Sequence, residues 1–183
     1  VRGLLITVHA PGDMFLVSYS GNRKGSGTFY TPPGLTIPTV RRTLEPLCYD
    51  IEEEDTEDGL IRTLTPKTAQ EILKLTVCDP AMGSGSFLVA ALRYLTDALF
   101  TSLEHHGHFQ KVKDGTRITL PAGTISDTKE SEDLLLHPDD ARFEVECKSR
   151  LKRYIAQRCI YGVDLNPMAV DLGKMALWVE TLS

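Results

Sequence analysis

The 183-residue sequence lacks several patterns that define common protein classes. Its four cysteines are isolated and form no Cys-x-x-Cys pair, so neither a zinc site nor a disulfide framework is expected. Charges or glycines interrupt the apolar runs within a few residues, which disfavours a membrane span. The N-terminus, Val1-Arg2-Gly3, has no initiator methionine and no signal-peptide pattern. We therefore expect a segment of a longer cytoplasmic protein that keeps its thiols reduced.

Further absences limit the ligands. The net charge of −5 argues against a domain that simply coats nucleic acid. The dinucleotide-binding pattern Gly-x-Gly-x-x-Gly is missing, and so is the Gly-x-x-x-x-Gly-Lys-Ser/Thr loop that holds triphosphates. A dinucleotide site is therefore disfavoured, and a triphosphate site is disfavoured more strongly.

What the sequence does contain is a strand, a tight loop of small residues and a helix, one after another. The predicted strand Leu75–Asp79 leads into Pro-Ala-Met-Gly-Ser-Gly, and a helical pattern runs from Ser86 to about Glu104. α/β proteins hold nucleotide-like cofactors in this way, because glycines let a ligand approach backbone N–H groups at the helix N-terminus. The acid at the start of the loop, Asp79, would repel phosphates and attract a cationic amino group. S-adenosylmethionine has such a group, a ribose and no phosphate, so it suits the loop best.

A second strand, predicted over Cys159–Leu165, also ends in an acid. Asn166-Pro167 follows it and begins a helix that we predict to continue to about Leu182, with Met175 and Trp178 in the core. In nucleotide-binding α/β folds an acid at the tip of the second strand binds the ribose hydroxyls, and Asp164 is placed for that role. The interval from the glycine loop exceeds the usual spacing of about 20 residues. A polar insertion at about 105–140 accounts for the excess.

The remaining pattern predicts an α/β fold of parallel strands with flanking helices. We predict an N-terminal β-hairpin appendage over residues 1–27 and a partial cofactor-binding domain over residues 28–183. Cys78 is expected to pack as a small hydrophobe inside the core strand. The acidic run Glu52–Asp58 is expected to be an exposed loop, and the 105–140 insertion to be irregular. Further helices are predicted at about 36–47, from a Thr65-Pro66 start to about Lys74, and near 141–157.

Three segments resemble motifs of the N6-adenine DNA methyltransferases, especially the large type I and type IIG-like restriction–modification enzymes. Asp79–Phe87 (DPAMGSGSF) resembles motif I and Val163–Met168 (VDLNPM) resembles motif II. Phe29–Pro32 (FYTP), preceded by Arg23–Gly27, is similar to motif X, and all three occur in the family's order. The resemblance implies a partial Rossmann-like methyltransferase fold that binds S-adenosylmethionine. It also implies action on DNA in a restriction–modification or phage-defence system, with specificity or nuclease subunits or domains as partners and no membrane.

The resemblance further implies a set of cofactor-binding residues. Three would border the methionine end of the cofactor, loop residues would surround its amino-acid part, Asp164 would hold the ribose, and two would flank the adenine ring. In chain order the set is Tyr30, Thr31, Pro32, Asp79, Pro80, Ala81, Gly83, Gly85, Phe87, Asp164, Leu165 and Met168. No metal ligand is expected, since His105, His106 and His108 lie at a helix end without a matching Cys or carboxylate.

The sequence departs from that family in one respect. The family's catalytic motif, Asn or Asp followed by Pro-Pro and an aromatic residue, is missing from these 183 residues. We therefore assign no catalytic residue and expect no methyl transfer by this chain alone. Two alternatives stay open: a non-catalytic module that binds S-adenosylmethionine, and a fragment of a nucleotide-dependent oxidoreductase.

Overall fold

The computed structural model describes residues 30–56, 59–120, 123–124 and 136–182. The hairpin predicted for residues 1–27 lies outside the described residues, and so does Phe29. The elements in chain order are α1 (Pro33–Cys48), β1 (Tyr49–Thr56), β2 (Gly59–Pro66), α2 (Ala69–Ile72), β3 (Val77–Asp79), α3 (Ser86–His105), β4 (Phe109–Val112), β5 (Gly115–Leu120), β6 (Gly123–Thr124), α4 (Phe143–Arg158), β7 (Ile160–Gly162) and α5 (Pro167–Glu180).

Two of the strands form a short parallel sheet. Strands β3 and β7 pair in parallel, with Val77 opposite Ile160 and Asp79 opposite Gly162. A parallel pair needs a long crossover, and here α3 and α4 form part of it. The described residues thus form an α/β structure with a small parallel sheet and flanking helices, which is compatible with a partial Rossmann-like fold. The carboxyl ends of both strands lie at one edge of this sheet. Asp79 is the last residue of β3, and Asp164 follows two residues after the end of β7.

The long helix α3 organises the core. Its leucines at 88, 92, 95 and 99 recur at intervals of three and four residues, and all four are buried. Each fully buried leucine contributes about 1.5–3 kcal/mol relative to an exposed one. The helix packs against α1, α4 and α5. By length and composition alone α3 could cross a membrane, but 56% of its most apolar window is buried inside the protein, as in a central core helix.

The acidic run is a strand, so the prediction of a loop over Glu52–Asp58 is wrong for residues 52–56. Strands β1 and β2 form an antiparallel hairpin from Tyr49 opposite Pro66 to Thr56 opposite Gly59. The acids point into solvent on this ribbon and so need no apolar partner. Arg62 supports the pairing, since its guanidinium lies 3.3 Å from the Glu53 carboxylate and 2.8 Å from that of Glu45 on α1.

Two other sequence predictions need correction. Thr65-Pro66 ends β2, and α2 begins after Thr68, which forms a capping box: its hydroxyl accepts from the Glu71 N–H and its own N–H donates to the Glu71 carboxylate. The insertion, predicted to be irregular, contains the antiparallel order β4-β5-β6. Aromatic packing stabilises these strands: the ring centroid of Phe109 lies 5.3 Å from that of Phe143 and 5.5 Å from that of Phe100.

Three residues predicted to lie in the core are exposed. Met175 and Trp178 each keep 61% of their surface accessible, because α5 buries only Ala169, Gly173 and Glu180. Cys78 is also exposed, on a sheet of only two strands. Side chains alternate along a strand, so Cys78 points away from the face that its neighbours Val77 and Asp79 occupy. Apolar composition alone did not show which faces of α5 and β3 are covered.

Candidate cofactor-binding site

The loop between β3 and α3 is built on two glycines in the left-handed region. Gly83 has φ +53° and Gly85 has φ +84°, conformations that other residues adopt only with strain. Gly85 donates its N–H to the Met82 carbonyl at 2.8 Å, which closes the turn directly before α3. The two glycines therefore serve the backbone of the turn itself, whatever ligand approaches it.

Most loop N–H groups already have partners within the protein. The Ala81 N–H donates to Asp79 Oδ1 at 3.0 Å, which is a local turn closed by the acid at the strand tip. The Met82 N–H donates to the Val163 carbonyl at 3.0 Å, beyond the end of β7. The Gly83 N–H donates to Asp164 Oδ2 at 2.9 Å. The loop is thus less open to a ligand's anionic groups than its sequence pattern indicates.

Asp164 joins the loop to the beginning of α5. While one carboxylate oxygen accepts from Gly83, Oδ1 accepts from the Asn166 N–H at 2.8 Å. Asn166 in turn caps α5, because its side-chain oxygen accepts from the Met168 N–H at 3.1 Å. The backbone hydrogen bonds from Asn166 and Gly83 lower the pKa of the Asp164 carboxyl, so the group is ionised at neutral pH.

A buried methionine supports the loop from below. Met82 is 7% exposed, and its side chain fills the space beside Gly162 on β7 and Gly173 on α5. A Cβ added at Gly162 would overlap the Met82 sulfur, and one added at Gly173 would lie 2.8 Å from Met82 Cε. Gly173 also lets α5 approach the loop, since a Cβ on Gly85 would lie 3.2 Å from the Gly173 Cα. Glycines far apart in sequence therefore set the position of the loop.

A cavity of about 710 Å³ opens between α1, α3 and α5. Its polar lining includes Tyr30, Thr31, Ser84 and Ser86. The Ser84 hydroxyl is buried and has no hydrogen-bond partner in the described part of the chain. Apolar side chains line most of the remaining wall: Ile37, Val40, Val89, Ala90, Leu172, Met175, Ala176 and Val179.

An ion-pair cluster also borders the cavity. Glu180, at the end of α5, accepts from Arg93 on α3 at 2.6 Å and lies 3.0 Å from the Lys152 ammonium on α4. Burial disfavours ionisation of this carboxyl, but the hydrogen bonds from Arg93 and Lys152 outweigh it and lower the pKa. The cluster links α3, α4 and α5.

The structure brings only part of the predicted site together. Tyr30 and Thr31 lie at the cavity beside the loop, whereas Asp79, Gly83 and Asp164 take part in the hydrogen bonds of the loop itself. Of the others, Gly85 shapes the turn, Phe87 packs partly buried against the core, and three residues are exposed: Pro32, Pro80 and Ala81. Leu165 is fully exposed and Met168 is 66% exposed, so the described residues enclose no adenine pocket between them.

Sequence reasoning missed several residues that shape this site. Asn166 was identified only as the start of a helix, and its hydrogen bond to Asp164 was not expected. Met82, Gly162 and Gly173 carry no local signal, since their contacts join segments about 80 or more residues apart. No group of three or more His, Cys, Asp or Glu within the described ranges is arranged to hold a metal ion.

The fold and site define an α/β protein in which two parallel strands end in acids beside a glycine-rich loop. The chain is similar to a protein of Methanocaldococcus jannaschii named as a type II restriction enzyme and methyltransferase, with 24% identity over 181 aligned residues. The alignment covers 87% of this chain and 12% of that protein's length. No protein-family model matches the chain, and no solved structure matches it.

Proposed function

We propose that this chain is the S-adenosylmethionine-binding part of a cytoplasmic DNA adenine-N6 methyltransferase in a restriction–modification or phage-defence system. The observation that carries the proposal is the meeting of two acid-tipped parallel strands with the glycine loop, where Asp164 binds Gly83. This is the edge at which open α/β sheets receive their ligands. The distant likeness to a restriction enzyme and methyltransferase supports the same conclusion.

The residues present fit this cofactor at its polar ends. Asp79 offers a carboxylate at the loop for the cofactor's ammonium group, and Asp164 can accept further hydrogen bonds from ribose hydroxyls. Tyr30 and Thr31 line the cavity beside the loop and offer hydroxyl groups to polar atoms of the ligand. When bound, the cofactor supplies a methyl group activated by its sulfonium.

In this proposal the methyl acceptor is an adenine turned out of the DNA helix, because an exocyclic amine inside a duplex is out of reach. The catalytic tetrapeptide is missing from the 183 residues, so this chain binds and orients the cofactor while other residues hold the base. DNA, specificity subunits and nuclease subunits are therefore proposed partners of the whole protein rather than of this segment.

Calorimetric titration of the chain with S-adenosylmethionine, S-adenosylhomocysteine and NAD tests the cofactor. We expect the first two to bind and NAD not to bind. Asp79→Asn should weaken S-adenosylmethionine at least tenfold and affect S-adenosylhomocysteine equally, since both carry the ammonium group. The matched control is Asp171→Asn, which makes the same change at an exposed site on α5. Binding of NAD alone, or of none of the three, contradicts the proposal.

The alternative that the sequence leaves open is a module that binds S-adenosylmethionine without catalysis. Transfer of a labelled methyl group to DNA distinguishes the two, if measured on the whole polypeptide in which this chain occurs. Labelled N6-methyladenine supports the enzyme, whereas cofactor binding without any transfer supports the module. The 183-residue chain alone should give no label in either case.

A further inference from the structure

We propose that Asp164 is a positioning residue that holds the glycine loop in place through the Gly83 N–H, in addition to any contact with a ribose. The inference rests on the proposed function and concerns the same site. Its consequence is specific: loss of the Asp164 carboxylate should weaken the binding of a cofactor analogue that has no ribose hydroxyls at all.

The geometry shows both carboxylate oxygens in use without any ligand. Oδ2 accepts from Gly83 at 2.9 Å across 81 positions of sequence, and Oδ1 accepts from Asn166 at 2.8 Å. Hydrogen bonds to an ionised acceptor are about twice as strong as neutral ones. An ionised carboxylate has about four acceptor positions, so ribose hydroxyls can bind without displacing either backbone group. Positioning and ribose binding are therefore compatible roles of one side chain.

The hydrogen bond to Asp164 lies next to a second hydrogen bond between the loop and the segment after β7. The bond from the Met82 N–H to the Val163 carbonyl and the bond from Gly83 to Asp164 lie on successive residues. Ser84 directly follows Gly83 and lines the cavity together with Tyr30 and Thr31, and its hydroxyl is buried. A shift of the Gly83 peptide would move Ser84 with it. Asp164 is not one of the residues that line the cavity, so it acts on the position of Ser84 through the loop backbone.

The variant Asp164→Asn separates the two roles with little change of shape. An amide has one acceptor oxygen and one donor nitrogen, so it can accept from Gly83 or from Asn166 but not from both through separate oxygens. One backbone N–H then faces an NH₂ group. Asp171→Asn on α5 is again the matched control, because it removes the same charge from an exposed residue paired only with Lys174 at 3.9 Å in the described structure.

The binding test uses two ligands and three proteins: S-adenosylhomocysteine and its 2′,3′-dideoxy analogue, with the wild-type chain, Asp164→Asn and the control. We expect Asp164→Asn to weaken both ligands by about tenfold or more, which is about 1.4 kcal/mol at 25 °C. The control should bind like wild type. If Asp164→Asn weakens only the ligand with ribose hydroxyls, the positioning role is refuted and the residue is a ribose ligand alone.

Amide hydrogen exchange without ligand gives an independent test. In the wild-type chain the Gly83 N–H should exchange slowly, and in Asp164→Asn the exchange of residues 81–85 should become at least tenfold faster. Unchanged exchange there refutes the inference. Because this measurement needs no ligand, it also decides the matter if the wild-type chain fails to bind S-adenosylhomocysteine, an outcome that would contradict the proposed function instead. If the variant does not fold, fast exchange of the Gly83 N–H in the wild-type chain would still refute the inference.

Discussion

Gly173→Ala tests whether packing beneath the loop sets its position. The added methyl group would lie 2.8 Å from Met82 Cε and 3.6 Å from the Gly83 carbonyl oxygen. Because Met82 is buried, the overpacking should cost about 1–3 kcal/mol. Replacing glycine inside a helix by alanine gains about 1 kcal/mol. The balance is a loss of about 0–2 kcal/mol in the free energy of unfolding, where a normal helix position would show a gain.

Urea unfolding of four variants measures this balance: Gly173→Ala, Gly34→Ala, Met82→Ala and the double variant of Met82 and Gly173. Gly34→Ala is the matched control, since it also lies in a helix but a Cβ there meets nothing within 4 Å. Gly34→Ala should be neutral or more stable than wild type. Met82→Ala combined with Gly173→Ala should be more stable than the sum of the single changes indicates, because the shorter side chain makes room for the new methyl. If Gly173→Ala is stabilising, or if the two changes add without coupling, the reasoning is wrong.

Two further predictions concern charge and thiols. Hydrogen bonds from Arg93 and Lys152 lower the pKa of Glu180 in the folded protein. The stabilising effect of this carboxylate is therefore present above its unfolded pKa of about 4.5 and is lost as the pH falls through the lower folded value. Glu180→Gln should lower the free energy of unfolding by about 1–2 kcal/mol at pH 7 and should flatten the dependence of the urea midpoint on acid pH. A variant that keeps the wild-type acid dependence would contradict this role. A thiol reagent should label Cys78 of the native chain first, as mass spectrometry would show, because Cys78 is exposed. The other three thiols are buried, and burial raises the pKa of Cys48 to about 11, that of Cys147 to about 12, and that of Cys159 above its usual value. Early labelling of any buried thiol would contradict the packing described.

Local signals in the sequence predicted the elements around the site well. The periodic leucines gave α3 from Ser86, the apolar run before Asp79 gave β3, and the stretch after Cys159 gave β7. In each case a few neighbouring residues carry the whole pattern, so no tertiary information is needed. The capping residue of α2 was misplaced for the same reason, because Thr65-Pro66 and Thr68 both satisfy the local rule for a helix start and only tertiary pairing assigns the first to β2.

Exposure and long-range contacts could not be predicted in this way. Trp178 and Cys78 are apolar or weakly polar, and their exposure depends on which elements lie opposite them. The acids of β1 disfavour a strand by composition, yet the register with β2 gives Glu53 an arginine partner. β-propensity depends strongly on such context, which a single segment does not contain.

Asp164 shows how one sequence signal can lead to an incomplete role. Its place at a strand tip indicated a ribose ligand, an inference that needs only the local pattern of strand, acid and helix. The bond to Gly83 depends on the parallel pairing of β3 with β7, which brings residues 81 positions apart within 2.9 Å. Any acid that follows β7 at this edge of the sheet can reach the loop as well as a ligand. We therefore expect the affinity for the cofactor and the order of the loop to change together when this carboxylate is altered.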